Sequence, residues 1–238
     1  MIKTPKLKLK YFLSALLVLP FFINGQSIDV QVNLLVGKMT LAEKVGQMTQ
    51  VERKELDHIS DLATYNIGSL LSGGGSAPEP NTLDSWIDMY NEYQTASRQS
   101  SSGIPIIYGI DAVHGHNNVE GAVIVPHNIG LGATWNTELV KSVSQVVASE
   151  VAATGIDWTF APCVAVPQNE RWGRTYEGFG ETAEINQIMG IATVGGLKGN
   201  ELALKHTILA CAKHYMGDDG TKDGVAGGTR KNTGAMIW

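Results

Sequence analysis

Four short apolar runs punctuate this sequence: Ile67 to Leu71, Ile104 to Ile110, Ile156 to Pro162, and Thr207 to Ala212. Nearly continuous apolar runs of this length read as strands of a parallel sheet, buried on both faces. The segments between them have helical periodicity. Asn81 to Arg98 offers Trp86, Met89, Tyr90 and Tyr93 to one side, Thr137 to Ala152 carries Leu139, Val143, Val146 and Val147 on one stripe, and Glu184 to Lys198 is helical again. An earlier helix starts at Thr40, where Thr40 and Glu43 have capping-box spacing and Leu41, Val45 and Met48 form a packing face. Strand and helix alternate about four times, with no internal repeat and no long linker. Alternation of this kind implies an α/β chain with a parallel sheet.

In every unit the polar residues gather after the strand. Asp111 is the first charge after the run Ile104 to Ile110, and His114, His116, Asn117 and Asn118 follow it. Alone, that loop reads as a capped turn whose amides satisfy backbone groups. Arg174 lies in the loop after the third run, however, and Lys213 and His214 end the fourth, so charged groups collect on one side of the sheet. A (β/α)8 barrel builds its active site from the loops at the carboxyl ends of its strands. The fold class expected is therefore the amino-terminal half of a TIM-like (β/α)8 barrel, incomplete, since four units fall short of eight. An open doubly wound sheet is the alternative, but Gly73-Gly74-Gly75-Ser76-Ala77-Pro78 runs into proline instead of opening a phosphate-binding helix. Lys205 and His206 precede the last strand and fall on the opposite end.

Residues 1–25 read as a signal peptide. Lys3, Lys6, Lys8 and Lys10 precede the apolar stretch Tyr11 to Ile23, which is short for a membrane span, and cleavage near Gly25 would leave Gln26 first. Export without a stable membrane anchor is the expectation. The leader holds four of the 18 basic residues and none of the 23 acidic ones, so the remainder is strongly acidic and a nucleic-acid partner is disfavoured. Cys163 and Cys211 each sit in an apolar run and read as two buried thiols instead of a disulfide.

An acid, two bases and a histidine on one rim suit a sugar ring, because hydroxyls both donate and accept hydrogen bonds. Several long motifs sharpen this reading: Tyr108-Gly109-Ile110-Asp111-Ala112-Val113-His114-Gly115, Pro126 to Thr134, Phe160-Ala161-Pro162, Arg171-Trp172-Gly173-Arg174-Thr175-Tyr176-Glu177, and Ala212-Lys213-His214-Tyr215. In this order they resemble the amino-terminal barrel domain of glycoside hydrolase family 3, over about Val36 to Gly224. The resemblance implies a retaining, exo-acting β-glycosidase, β-glucosidase-like, acting on terminal β-linked glucosyl residues of a glucoside or oligosaccharide. It implies that Asp111, Arg174, Lys213 and His214 bind substrate. It further implies that the nucleophile and the acid/base lie beyond Trp238, so that no catalytic carboxylate is present and the chain is inactive alone. An N-acetylglucosamine-cleaving branch places a histidine in the loop after the Lys-His strand. Gly217 to Gly224 has none, which favours the glucosidase-like branch.

The domain limits expected are thus a signal peptide over 1–25, a partial family barrel over 26–224, and a divergent glycine-rich tail over 225–238 that has the look of an interrupted end. Half a barrel leaves open sheet edges that favour self-association. A sugar-binding protein without catalysis, or a non-functional fragment, is the alternative. A metal-dependent hydrolase built on His114-Gly115-His116 is disfavoured, and no metal or cofactor is expected. Arg171 and Arg174 with Glu177 and Glu181 could form a loop-stiffening ion-pair network, the preferred reading for Arg171, Glu177 and Glu181; Trp172 reads as a sugar platform or core packing, and His127 as a partner for rim backbone.

Overall fold

The computed structural model describes residues 27–220 apart from Ala203, Met216 and Asp219. The expected signal segment and the tail 225–238 lie outside the described residues. Two units are distinguished, residues 1–39 and residues 40–238. The first contributes helix α1 (Ile28–Lys38), capped by the Ser27 hydroxyl accepting from Val30 N at 3.4 Å. This helix was not foreseen in the sequence.

The second unit is a five-stranded, wholly parallel sheet: β1 (Gln50–Glu52), β2 (Ser69–Ser72), β3 (Ile107–Ile110), β4 (Trp158–Thr159) and β5 (Leu209–Ala210). The strands pair in sequential order, β1-β2-β3-β4-β5, with no reversal. A doubly wound sheet must reverse its order at a switch point, whereas a barrel adds each strand beside the last. The protein is therefore an incomplete TIM-like barrel. It has one strand more than the four expected, because β1 is short, polar and held by pairing, including Gln50 Nε2 donating to Ser69 Oγ at 2.8 Å.

Helices α2 (Leu41–Gln47), α3 (Asp61–Thr64), α4 (Leu83–Ser97), α5 (Asn128–Ala133), α6 (Thr137–Ala153) and α7 (Ala183–Lys198) fill the crossovers. Their starts follow local chemistry. Thr40 and Glu43 form the reciprocal capping box, and Thr82, Asn136 and Thr182 accept from the backbone N–H groups of Ser85, Leu139 and Ile185. Leu70, Tyr108 and Ile110 share one face of the sheet and are fully buried against Trp86 of α4 and Val147 and Val151 of α6. Each such side chain contributes about 1.5–3 kcal/mol by leaving water. Tyr108 keeps its hydroxyl satisfied at 2.7 Å from Ser72 Oγ.

The opposite face departs from the expectation of burial on both sides. Ile107 is 46% exposed there and Leu209 38%. In a closed barrel this is the inward face, packed by the other strands; here Trp158 and Phe160, in edge contact at 4.8 Å, begin to fill it. Helix α2 also corrects the sequence reading. Its stripe points outward, with Leu41, Val45 and Met48 exposed, while Gly46 faces inward so closely that a Cβ would lie 2.0 Å from the Tyr65 carbonyl oxygen.

Candidate functional site

The charged residues singled out in the sequence meet at the carboxyl ends of β3, β4 and β5, each one strand later in the count than expected. Asp111 directly follows β3. Its backbone is fixed by Thr159 Oγ1, which donates to the Ile110 carbonyl at 3.1 Å and accepts from Ala112 N at 3.2 Å, while Asn118 Nδ2 donates to the Asp111 carbonyl at 3.1 Å. The loop amide thus serves backbone as expected. The Asp111 carboxylate does not; its Oδ1 accepts from Lys213 Nζ at 2.7 Å, and 40% of the side chain stays exposed.

Lys213 is placed by the sheet itself. Beyond β4 and β5 the ladder continues as a parallel bridge between Cys163 and Lys213, with Lys213 N donating to the Pro162 carbonyl and Val164 N to the Lys213 carbonyl, both at 2.9 Å. The next residue, His214, meets Arg174. Nη2 of Arg174 lies 3.1 Å from His214 Nε2. A guanidinium only donates, so Nε2 accepts and the ring proton belongs on Nδ1, 2.6 Å from Asp218 Oδ2.

Arg174 is held from its other side. Its Nε and Nη2 donate to the two oxygens of Glu177 at 2.7 and 2.6 Å, and Nη1 lies 3.7 Å from Asp218 Oδ2. A bidentate pair of this kind fixes the guanidinium plane as well as its position. Burial pushes the Glu177 carboxyl up, but the hydrogen bonds and charge of Arg174 outweigh it, leaving the group below the usual carboxylate range. The Glu177 hydrogen bond in turn raises the Arg174 guanidinium further.

Asp111, Arg174, Lys213 and His214 therefore form two contacting pairs joined by the Lys213–His214 peptide. Lys205 and His206 precede β5 and are exposed, away from this rim. Sequence reasoning missed Asp218, although its spacing of four from His214 was visible; Glu177 has the ion-pair role expected of it, with Arg174 as its partner. Arg171 pairs with Glu170 at 3.4 Å on an exposed surface, and Glu177 serves Arg174. Trp172 is buried with Cys163 and Ala165, which settles it as packing. His127 lies in tilted and edge-on contact with His114 and Tyr176, at centroid distances of 4.4 and 4.5 Å, so ring packing is what the described residues offer it.

The histidines of the disfavoured metal reading have separate partners. His116 is buried on Trp86, and its Nε2 donates to Thr154 Oγ1 at 3.3 Å, because the Thr154 hydroxyl proton goes to the Val151 carbonyl. Both cysteines are free thiols; Cys163 is buried as expected, whereas Cys211 is only half-buried. One group of three metal-ligating side chains does occur among the described residues, Cys163, His214 and Asp218.

A sequential parallel sheet with an acid, two bases and a histidine at its carboxyl rim defines a partial barrel domain suited to a polyhydroxylated ligand. Residues 40–235 match the glycosyl hydrolase family 3 N terminal domain, and the chain belongs to that family. It is 37% identical over 211 residues to the lysosomal beta glucosidase of Dictyostelium discoideum, covering 79% of this chain and 26% of that one. Identity to the periplasmic beta-glucosidase of Salmonella typhimurium is 30% over 213 residues, covering 89% and 26%. The structure of the exo-1,3/1,4-beta-glucanase of a Pseudoalteromonas species superposes with a TM-score of 0.76 at 40% identity, over 84% of this chain and 26% of that one. The chain spans about a quarter of the length of these relatives.

Proposed function

We propose that Asp111, Arg174, Lys213 and His214 grip the terminal glucosyl ring of a β-glucoside or β-linked oligosaccharide in a retaining, exo-acting β-glucosidase. The observation that carries this reading is the convergence of the four side chains from three consecutive strand ends. Asp111 accepts hydrogen bonds from ring hydroxyls, Lys213 and Arg174 donate to them, and His214 orients against Arg174. Glu177 and Asp218 are positioning residues, holding Arg174 and His214 in place. The names of the relatives, glucosidases and an exo-glucanase, support the substrate class.

Retaining hydrolysis needs two carboxyl groups about 5 Å apart, one as nucleophile and one as acid/base. Of the acids at this rim, Asp111 is tied to Lys213, Glu177 to Arg174, and Asp218 to His214. In this proposal the chain supplies the grip, and the two reacting carboxyls come from the portion of the relatives' length that it does not span. The 238-residue chain by itself binds the sugar without turning over an aryl β-glucoside. Among the described residues the sheet has unpaired outer edges at β1 and β5, and these with the exposed inner face favour self-association.

Titrating the chain with glucose, followed by chemical shifts of site residues, should give saturable changes that Asp111→Ala abolishes and Lys205→Ala leaves intact. In an enzyme of the relatives' full span, Asp111→Ala and Lys213→Ala should each lower kcat/KM by about 100-fold or more, since these contacts strengthen as the oxocarbenium ion forms. Equal losses from Lys205→Ala would overturn the assignment of the rim. Export through residues 1–25 belongs to the same proposal, supported by the periplasmic relatives. No described helix is long and apolar enough to cross a membrane.

A further inference from the structure

At the rim itself, three side chains of different chemistry close on one point. One ligand atom each from Cys163, His214 and Asp218 lies within 4.8 Å of the other two. We propose that these three residues form a binding site for a thiophilic divalent cation of the zinc type, with water as the fourth ligand.

The donor set points to this class of ion. A thiolate, an imidazole and a carboxylate are the ligands of zinc and its neighbours, whereas magnesium and calcium take oxygen sets. Bonds to zinc of about 2.0 to 2.3 Å place tetrahedral donors roughly 3.4 to 3.6 Å apart, so the three need to move by only about an ångström. The backbone is already organised for it. Cys163 is fully buried, and its parallel bridge to Lys213 fixes the thiol and the residue next to His214 in one ladder. A ligand held by sheet geometry loses little freedom when the metal arrives.

Two of the donors meet each other as a close pair that, among the described residues, is not an aligned hydrogen bond. His214 Nδ1 and Asp218 Oδ2 are both buried, and although they approach to 2.6 Å neither makes an aligned hydrogen bond. Buried polar atoms left this way carry a desolvation penalty that a metal ion between them would remove. The proton balance also closes. The thiol proton of Cys163 leaves to solvent, the ring proton of His214 moves from Nδ1 to Nε2, and Nδ1 binds the metal with its lone pair. His214 Nε2, now protonated, must then draw back from Arg174 Nη2, which stays held by its two bonds to Glu177. That withdrawal is the main cost, because the guanidinium already lies 3.7 Å from Asp218.

The site does not rest on the sugar reading, and it is tested without sugar. Cobalt(II), a spectroscopic stand-in for zinc, is titrated into the reduced chain. A thiolate-to-cobalt band in the near ultraviolet should saturate at one equivalent and be bleached by zinc. Cys211→Ala should keep the band, Cys163→Ala should lose it, and Asp218→Asn should weaken binding about tenfold or more while leaving far-ultraviolet dichroism unchanged. If Cys163→Ala fails to fold, Cys163→Ser, which keeps the size but offers a poor ligand, takes its place. A folded wild type with no thiolate band, or a band that survives loss of Cys163 or is unaffected by Asp218→Asn, overturns the proposal.

Discussion

Replacing Glu177 with glutamine tests how far the Arg174 side chain depends on its carboxylate partner. The wild-type pair has two charge-assisted hydrogen bonds, at 2.7 and 2.6 Å, and the Glu177 side chain is 13% exposed. Bonds to charged groups contribute about 1.5–3 kcal/mol each in favourable settings. The Arg174 side chain is 34% exposed and has Asp218 nearby, so solvent and a second acid absorb part of the loss. Glutamine retains one accepting oxygen. The expected cost of Glu177→Gln at neutral pH is therefore about 1–2 kcal/mol, and of Glu177→Ala about 2–3 kcal/mol.

The pH dependence carries the sharper test. Because the folded Glu177 carboxyl is depressed below its ordinary value of 4.5, its contribution is present above that value and is lost as pH falls through the folded pKa. Urea unfolding should show the gap between wild type and Glu177→Gln at pH 7 and its closure under acid, below pH 4.5. A gap of constant size across that range would mean that the carboxylate's charge is not what holds Arg174, and the reasoning would fail.

Other perturbations read other parts of the structure. Burial pushes the His116 imidazole down to about 4, so between pH 6.5 and about 4 the unfolded chain takes up a proton that the folded chain refuses; wild type should lose stability across that window and His116→Phe should not, as read by melting temperature. Gly109→Ala would place a Cβ 2.4 Å from the Phe160 ring and should destabilise the sheet by about 1–3 kcal/mol in denaturant unfolding, whereas an unchanged midpoint would contradict the packing of the inward face. Mass spectrometry of the exported protein should find a start near Gln26; an intact Met1 would refute processing of the leader.

Helices α2, α4, α6 and α7 and the positions of the rim charges were legible because their signals are local. Thr40, Thr82, Asn136 and Thr182 mark helix starts through bonds spanning three residues, and Asp111 and Lys213 stand where apolar runs end. Strand β1 was not legible, since Gln50, Val51 and Glu52 carry no apolar run and become a strand only by lying beside Ser69 to Leu71. The stripe on α2 was found but turned the wrong way. Periodicity identifies a face without saying where it points, and here the close contact open only to Gly46 decides the orientation. The meeting of Cys163 with His214 and Asp218 has no sequence signal at all, because the bridge that brings them together links two loops about fifty residues apart.

The sequential strand order has a consequence for how the protein is made. Each strand pairs with the one synthesised just before it, so on the ribosome the sheet grows at a single edge, in the order of translation. Asp111 emerges long before its partner, for Lys213 lies 102 residues downstream. Through that interval the carboxylate waits in water at the end of β3, and its ion pair closes only when the fifth strand has been added. The contact that completes the rim thus also marks, in the nascent chain, the moment at which β5 has taken its place.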